Sequence, residues 1–217
     1  MNTATSPQSS PSLFDFLHVD LINPQPNNDT DILKQLSFVP GLKEILMLRQ
    51  VHALEHATVW VLSQQRHLNF PPGITNSFQV DNELLGGLST EQGFYLYGQV
   101  NISDLRRAVT VALHRLTGGE WDLAVHPRCG TNLSVAMLLT AGFAVGAHLL
   151  LPRGPIEQLI GLGLAAKAAN ELAPNLGKLA QKFVTTAIPF NLAVENVIPS
   201  RDSWGREAHF VKVNWCN

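Results

Sequence analysis

Residues 42–66 read LKEILMLRQVHALEHATVWVLSQQR, with His52-Ala-Leu-Glu55-His56 at the middle. Apolar residues recur at Ile45, Leu46, Val51, Leu54, Val59 and Leu62, a spacing that predicts one long helix over Leu42 to Arg66. On a helix, positions i and i+4 share a face, so the two imidazoles can converge on one ion. Glu55 stands one residue before the second histidine, on the neighbouring edge of that face. The order His-x-x-Glu-His is a zinc-helix signature, with two neutral imidazoles as ligands and a carboxylate beside them to take a proton from water.

Two histidines on a helix need a third protein ligand. The sequence offers His126-Pro-Arg-Cys129-Gly-Thr-Asn132, where a thiolate completes a His2Cys set with one open position. Cys129 is the expected third ligand and His126 the reserve. Phe78–Val80, Leu84–Gly87 and Phe94–Val100 read as strands around a Gly-rich turn. A helix capped by Ser103 follows, with a stripe of Leu105, Val109, Ala112, Leu113 and Leu116. Trp121–Val125 reads as a further strand, closing a β-α-β unit. Gly86, Gly87, Ser89 and Thr90 are expected to line a substrate cleft beside the metal helix.

The 217 residues are 45% hydrophobic with a formal net charge of −2, enough for one sizeable core and without the basic surface of a nucleic-acid binder. Cys129 and Cys216 are too few for a disulfide scaffold and point to a reducing compartment. The N-terminus lacks a basic segment followed by an apolar run, so no secretory signal is expected. Residues 1–30 are rich in Ser, Pro, Asn and Thr around a Leu13–Leu17 island and are expected to be a disordered lead. From Leu133 to Leu151 there is no formally charged residue, a length at the threshold for crossing a bilayer. After the turn Pro152-Arg-Gly-Pro155, a second small, apolar helix begins. Residues 133–173 are therefore expected to form an apolar two-helix membrane hairpin interrupting an α+β domain. Residues 31–132 supply the metal-binding part, and 174–217 add a helix and two strands that pair with the first sheet. Basic residues flanking the hairpin place both of its flanks in the cytoplasm by the positive-inside tendency.

The order of parts resembles S-ribosylhomocysteine lyase: His52 to His56, Gly93-Phe94-Tyr95, the helix after Ser103, then Cys129-Gly130-Thr131. That resemblance implies His52, His56 and Cys129 as ligands and Glu55 as acid/base, and it admits a site shared in a homodimer. Thr90 stands where that family has a second, catalytic cysteine, which removes the thiol its elimination chemistry uses. The His-Ala-Leu-Glu-His core also resembles the zinc helix of pitrilysin-type metallopeptidases. The chain as a whole looks like an uncharacterised family of cyanobacterial membrane proteins. The expectation is an α+β fold, a metal-bearing helix on a small mixed sheet, holding Zn2+ or Fe2+ and hydrolysing a peptide or small-molecule substrate at a membrane. Two other readings stand beside it: a membrane-anchored scaffold with a structural metal, and a lyase-like enzyme on a small sulfur metabolite.

Overall fold

A computed structural model of the chain describes residues 24–26, 28–68, 83–152 and 154–216, with backbone alone at 66–68. The expected strand at Phe78–Val80, most of the N-terminal lead and its apolar island lie outside the described residues. A short helix, α1 (Asn28–Gln35), leads into the central helix α2 (Leu42–Leu68). From Val51 to Leu62 nearly every α2 side chain is buried, because a helix apolar on all sides must be covered on all sides. Its buried hydroxyls on Thr58 and Ser63 donate to the carbonyls of Leu54 and Val59, four residues back, and so carry no desolvation penalty.

One cover is a four-stranded sheet of β1 (Gly86–Thr90), β2 (Gly93–Tyr97), β3 (Leu192–Arg201) and β4 (Glu207–Trp215), in the order β1-β2-β4-β3. Phe94 of β2 sits opposite Val211 of β4, which sits opposite Val197 of β3. All three are buried in one core with Leu54, Leu96 and Val213. Gly93 closes the β1–β2 turn at φ 144°, and a Cβ there would lie 1.9 Å from the Val211 carbonyl oxygen. Only glycine fits that approach. The other cover is α3 (Ile102–Thr117), capped by the Asn101 side chain on the Ser103 N–H. It buries Leu105, Ala108, Val109, Ala112 and Leu116.

The two C-terminal strands join the first sheet as expected, but among the described residues the sheet is antiparallel throughout, not mixed, and no β-α-β unit forms. Trp121–Ala124 is a turn of 3-10 helix. A short apolar run of this kind fits strand or helix equally by pattern. Here the carbonyls of Ala124 and Val125 accept from the side chains of His56 and Trp60, so they are spent on α2 and not on a sheet ladder.

Two long helices follow, α4 (Gly130–Leu150) and α5 (Pro155–Ala180), and they pack along each other. The packing face of α5 is Gly161, Ala165, Ala169, Ala173 and Gly177, one small residue every four. A Cβ on Gly161 would strike Leu151, and one on Gly177 would strike Asn132, so the backbones meet closely at both ends. By length and composition α4 is apolar enough to cross a membrane, and Leu133, Met137, Leu138, Val145 and Leu149 stand exposed along it. Among the described residues it is the one helix that qualifies, so the apolar two-helix hairpin expected from the sequence is corrected. Lys167, Glu171 and Lys178 make α5 too polar. The helix also runs through Pro174 and ends in a π-helical turn, Gln181–Thr185.

Candidate metal centre

His52 and His56 project from one face of α2, with ring centroids 4.3 Å apart. Their Nδ1 atoms both face backbone carbonyls: His52 reaches Thr185 O at 3.0 Å, and His56 reaches Ala124 O at 2.6 Å. A carbonyl only accepts, so each Nδ1 carries the proton and each Nε2 presents a lone pair. This is the arrangement that orients metal-ligating imidazoles. The π turn after α5 supplies the first carbonyl and the 3-10 turn the second.

Cys129 is the N-cap of α4, its Sγ taking the Thr131 N–H at 3.4 Å. That Sγ lies 3.3 Å from His52 Nε2. The ligand atoms of His52, His56 and Cys129 all fall within 4.8 Å of one another. Tetrahedral zinc, with bonds of about 2.0–2.1 Å to nitrogen and about 2.3 Å to sulfur, sets N and S about 3.5 Å apart. The donor set therefore fits such an ion in type and spacing. Burial pushes the Cys129 thiol up, but His56 and the Thr131 N–H outweigh it and the net direction is down, toward the thiolate that binds metal. The N-terminus of a 21-residue helix acts in the same direction.

Glu55 is buried beside this group. Burial raises its pKa, opposed by a hydrogen bond from Ser89 at 2.6 Å and by the electrostatic effect of the neighbouring His52, and the net direction is up. Its carboxylate lies against the bare backbone of Gly87, where a Cβ would stand 2.1 Å from Oε1. Gly87 and Ser89 share a face of β1 because strand side chains alternate. Together these groups line a cleft of about 620 Å3, whose wall also includes the exposed Ile45, Leu48 and Val184.

Of the residues expected at the site, His52, Glu55, His56, Cys129, Gly86, Gly87 and Ser89 all line this cleft. Thr90 is turned to the hairpin, donating to Gly93 O at 2.8 Å. His126 lines the cleft but stands outside the three-donor group: its ring packs on Trp60 at 4.7 Å, and its Nδ1 accepts from the Arg128 N–H at 3.3 Å. Sequence reasoning missed the two orienting carbonyls and the buried Gln181. Gln181 takes the His126 N–H at 2.8 Å and donates to Asn132 at 2.7 Å, tying the two helix feet together. Backbone carbonyls leave no residue-type signal, although a Gln-x-x-x-Thr-Thr run at the end of an apolar helix is one that could have been followed.

Residues 47–197 match a protein family described as a domain of unknown function, DUF6391. An uncharacterised protein of Picosynechococcus sp. is 51% identical over 196 residues, 90% of this chain and 93% of that protein. This agrees with the expected likeness to an uncharacterised cyanobacterial family; neither match is to the lyase or to a pitrilysin-type peptidase. No solved structure matches the chain. The matched stretches hold the whole histidine, glutamate and cysteine constellation, and the chain belongs to the DUF6391 family.

Proposed function

We propose that this member of the DUF6391 family is a membrane-anchored, metal-dependent hydrolase. The observation that carries the reading is the shared orientation of His52 and His56. Two imidazoles pinned through Nδ1 to carbonyls, with both Nε2 atoms gathered on a thiol, support a ligand role over that of core histidines. Zn2+, or Fe2+, would be held by His52, His56 and Cys129. Such an ion would polarise a carbonyl and activate water.

The rest is the work of the chain's own groups. Glu55, with its pKa raised by burial, accepts a proton from water and returns it to the leaving group. Ser89 fixes the carboxylate, and Gly87 lets it lie flat against β1. Among the described residues three donors gather, which leaves a coordination position open and favours a catalytic over a structural ion. The substrate class is an amide or ester whose carbonyl reaches the cleft. α4 serves as the membrane anchor, and the positive-inside tendency of the basic residues near its foot favours a cytoplasmic side for the α2–sheet domain.

Metal content of the purified full chain by elemental mass spectrometry tests this. About one ion per chain is expected in wild type and in Glu55→Gln, and a loss of most of it in His56→Ala and Cys129→Ala. Wild-type protein that stays empty after purification without chelator and incubation with Zn2+ or Fe2+ would refute the reading.

A further inference from the structure

α4 is 21 residues long, about 32 Å, against a hydrocarbon layer of about 30 Å. A helix with so little length to spare spans only if the hydrocarbon begins within its first turn. Cys129 caps that turn, and the exposed Leu133 that opens the apolar run is four residues on, about 6 Å along the axis. With α4 as the anchor, the candidate metal centre lies where acyl chains meet headgroups. In a phospholipid that level is occupied by the ester groups that join the chains to glycerol.

The cleft is suited to that neighbour. Its wall contains Gly130 and Thr131, from the first turn of α4 itself. The same wall carries Ile45 and Leu48 of α2 and Val184 of the π turn, which are 56%, 40% and 65% exposed. Arg49, next to Leu48, ties the π turn to α2 by donating to the carbonyls of Phe183 and Thr186 at 3.2 and 3.1 Å. Exposed apolar side chains gathered at a cleft mark a contact with apolar ligand or lipid. The charged residues lining the cleft are Arg49, Arg128 and the buried Glu55, a net positive wall that suits an anionic headgroup.

We propose that the cleft takes an acyl ester of an anionic phospholipid directly from the leaflet at the foot of α4. The inference rests on the hydrolase and membrane-anchor readings above and names their substrate. An acyl chain lies along Ile45, Leu48 and Val184, and its ester carbonyl reaches Glu55 and the three donors. The hydroxyl of water joins the acyl carbon, and the bond from that carbon to the glycerol oxygen breaks. The other proton of the water, accepted by Glu55, passes to the departing oxygen. The products are a fatty acid and a lysophospholipid.

The test uses the full chain in liposomes of phosphatidylcholine and phosphatidylglycerol, with some of the phosphatidylglycerol carrying a photoreactive diazirine on its acyl chain. Wild type is held in chelator, so that nothing is turned over, then irradiated, and its adducts are mapped by mass spectrometry. Adducts are expected on Ile45, Leu48 or Val184 as well as on Met137 and Leu138, exposed on α4. Ile45→Asn is expected to cut the yield at the cleft about tenfold and to leave the adducts on α4. Metal-loaded wild type should free fatty acid from the same liposomes, and Glu55→Gln at least about 100-fold less. Adducts confined to α4 would overturn the inference and leave the anchor standing. A metal-loaded chain that cleaves a soluble peptide but frees no fatty acid would overturn it and leave the hydrolase reading standing. Release of wild type by an alkaline carbonate wash would overturn the anchor and this inference with it, leaving the metal test untouched.

Discussion

Adjacent glycines on β1 give a paired test of the site's geometry. A Cβ on Gly86 would meet nothing within 4 Å, whereas one on Gly87 would lie 2.1, 2.3 and 2.6 Å from Oε1, Cδ and Cγ of Glu55. Gly86→Ala is expected to gain about 0.5–1 kcal/mol, because alanine loses less chain entropy on folding. Gly87→Ala makes the same gain and must also move the carboxylate. Glu55 is a flexible side chain with a cleft beside it, so it swings aside and the backbone stays. The loss is then the Ser89–Glu55 hydrogen bond, worth about 1.5–3 kcal/mol for a charged acceptor. For a chain of this size, about 2–4 °C of melting temperature accompanies each kcal/mol. Gly87→Ala should therefore melt at least about 3 °C below Gly86→Ala in the same detergent. Metal content should be equal in the two, since neither touches a ligand. Equal melting temperatures would refute the placement of Glu55 against β1.

Other perturbations read other parts of the structure. His126→Ala is expected to keep the metal that His56→Ala loses, because His126 Nδ1 accepts the Arg128 N–H, which puts the ring proton on Nε2 and leaves no lone pair for an ion; elemental analysis of both variants decides it. Gly177→Ala places a Cβ 2.2 Å from Asn132 Oδ1 and 3.2 Å from its Cα, a backbone atom that cannot swing away. About 1–3 kcal/mol of stability should be lost, while Gly163→Ala, in the helix interior with open space around it, should gain about 1 kcal/mol and raise the melting temperature by about 2–4 °C. Burial pushes the Asp202 carboxyl up, but hydrogen bonds from Tyr97, Arg206 and Trp204 outweigh it and hold its pKa at about 2, below the ordinary 3.8. A depressed carboxyl stabilises the fold fully above its unfolded value, so the β3–β4 turn should weaken as pH falls from about 4 through 2. Comparing wild type with Asp202→Asn at pH 5 and pH 2.5 should show the gap between them closing at the lower pH.

What could be seen in the sequence was whatever periodicity encodes. The metal helix, the apolar stripe of α3 and the two C-terminal strands each carry a pattern longer than the ambiguity of their class. His52 and His56 were legible as a pair because i and i+4 share a helix face, and Cys129 because a thiol beside glycine in a polar loop is an unusual core residue. The turn at Trp121–Ala124 was not legible. Four residues do not distinguish strand from 3-10 helix, and what decides between them is that Trp60 and His56, over 60 residues away, claim its carbonyls. The second helix of the hairpin misled for a different reason. Its first twelve residues carry one charge, Glu157, and its later Lys167, Glu171 and Lys178 fall on rows away from α4, a placement that only the packing reveals. Pro174, where the expected C-terminal part begins, lies exposed on α5 and does not break the helix.

The two feet of the hairpin explain why the candidate metal site and an apolar helix share one chain. α4 begins at Cys129, so its first capped residue is a proposed ligand. α5 ends in the π turn, whose Thr185 carbonyl orients His52. A π turn widens the helix by a residue and is found disproportionately at functional sites. Here it re-aims a carbonyl at an imidazole that an uninterrupted α-helix would leave unheld. Gln181, fully buried between the feet, locks the spacing by bonding to His126 on one side and Asn132 on the other. The separation between thiolate and His52 is thus set by how α4 and α5 stand side by side, through the small-residue face from Gly161 to Gly177. A change that slides one helix against the other moves Cys129 relative to His52 before it disturbs the sheet. The geometry of the centre is in this sense a property of the hairpin as much as of the helix that carries the histidines.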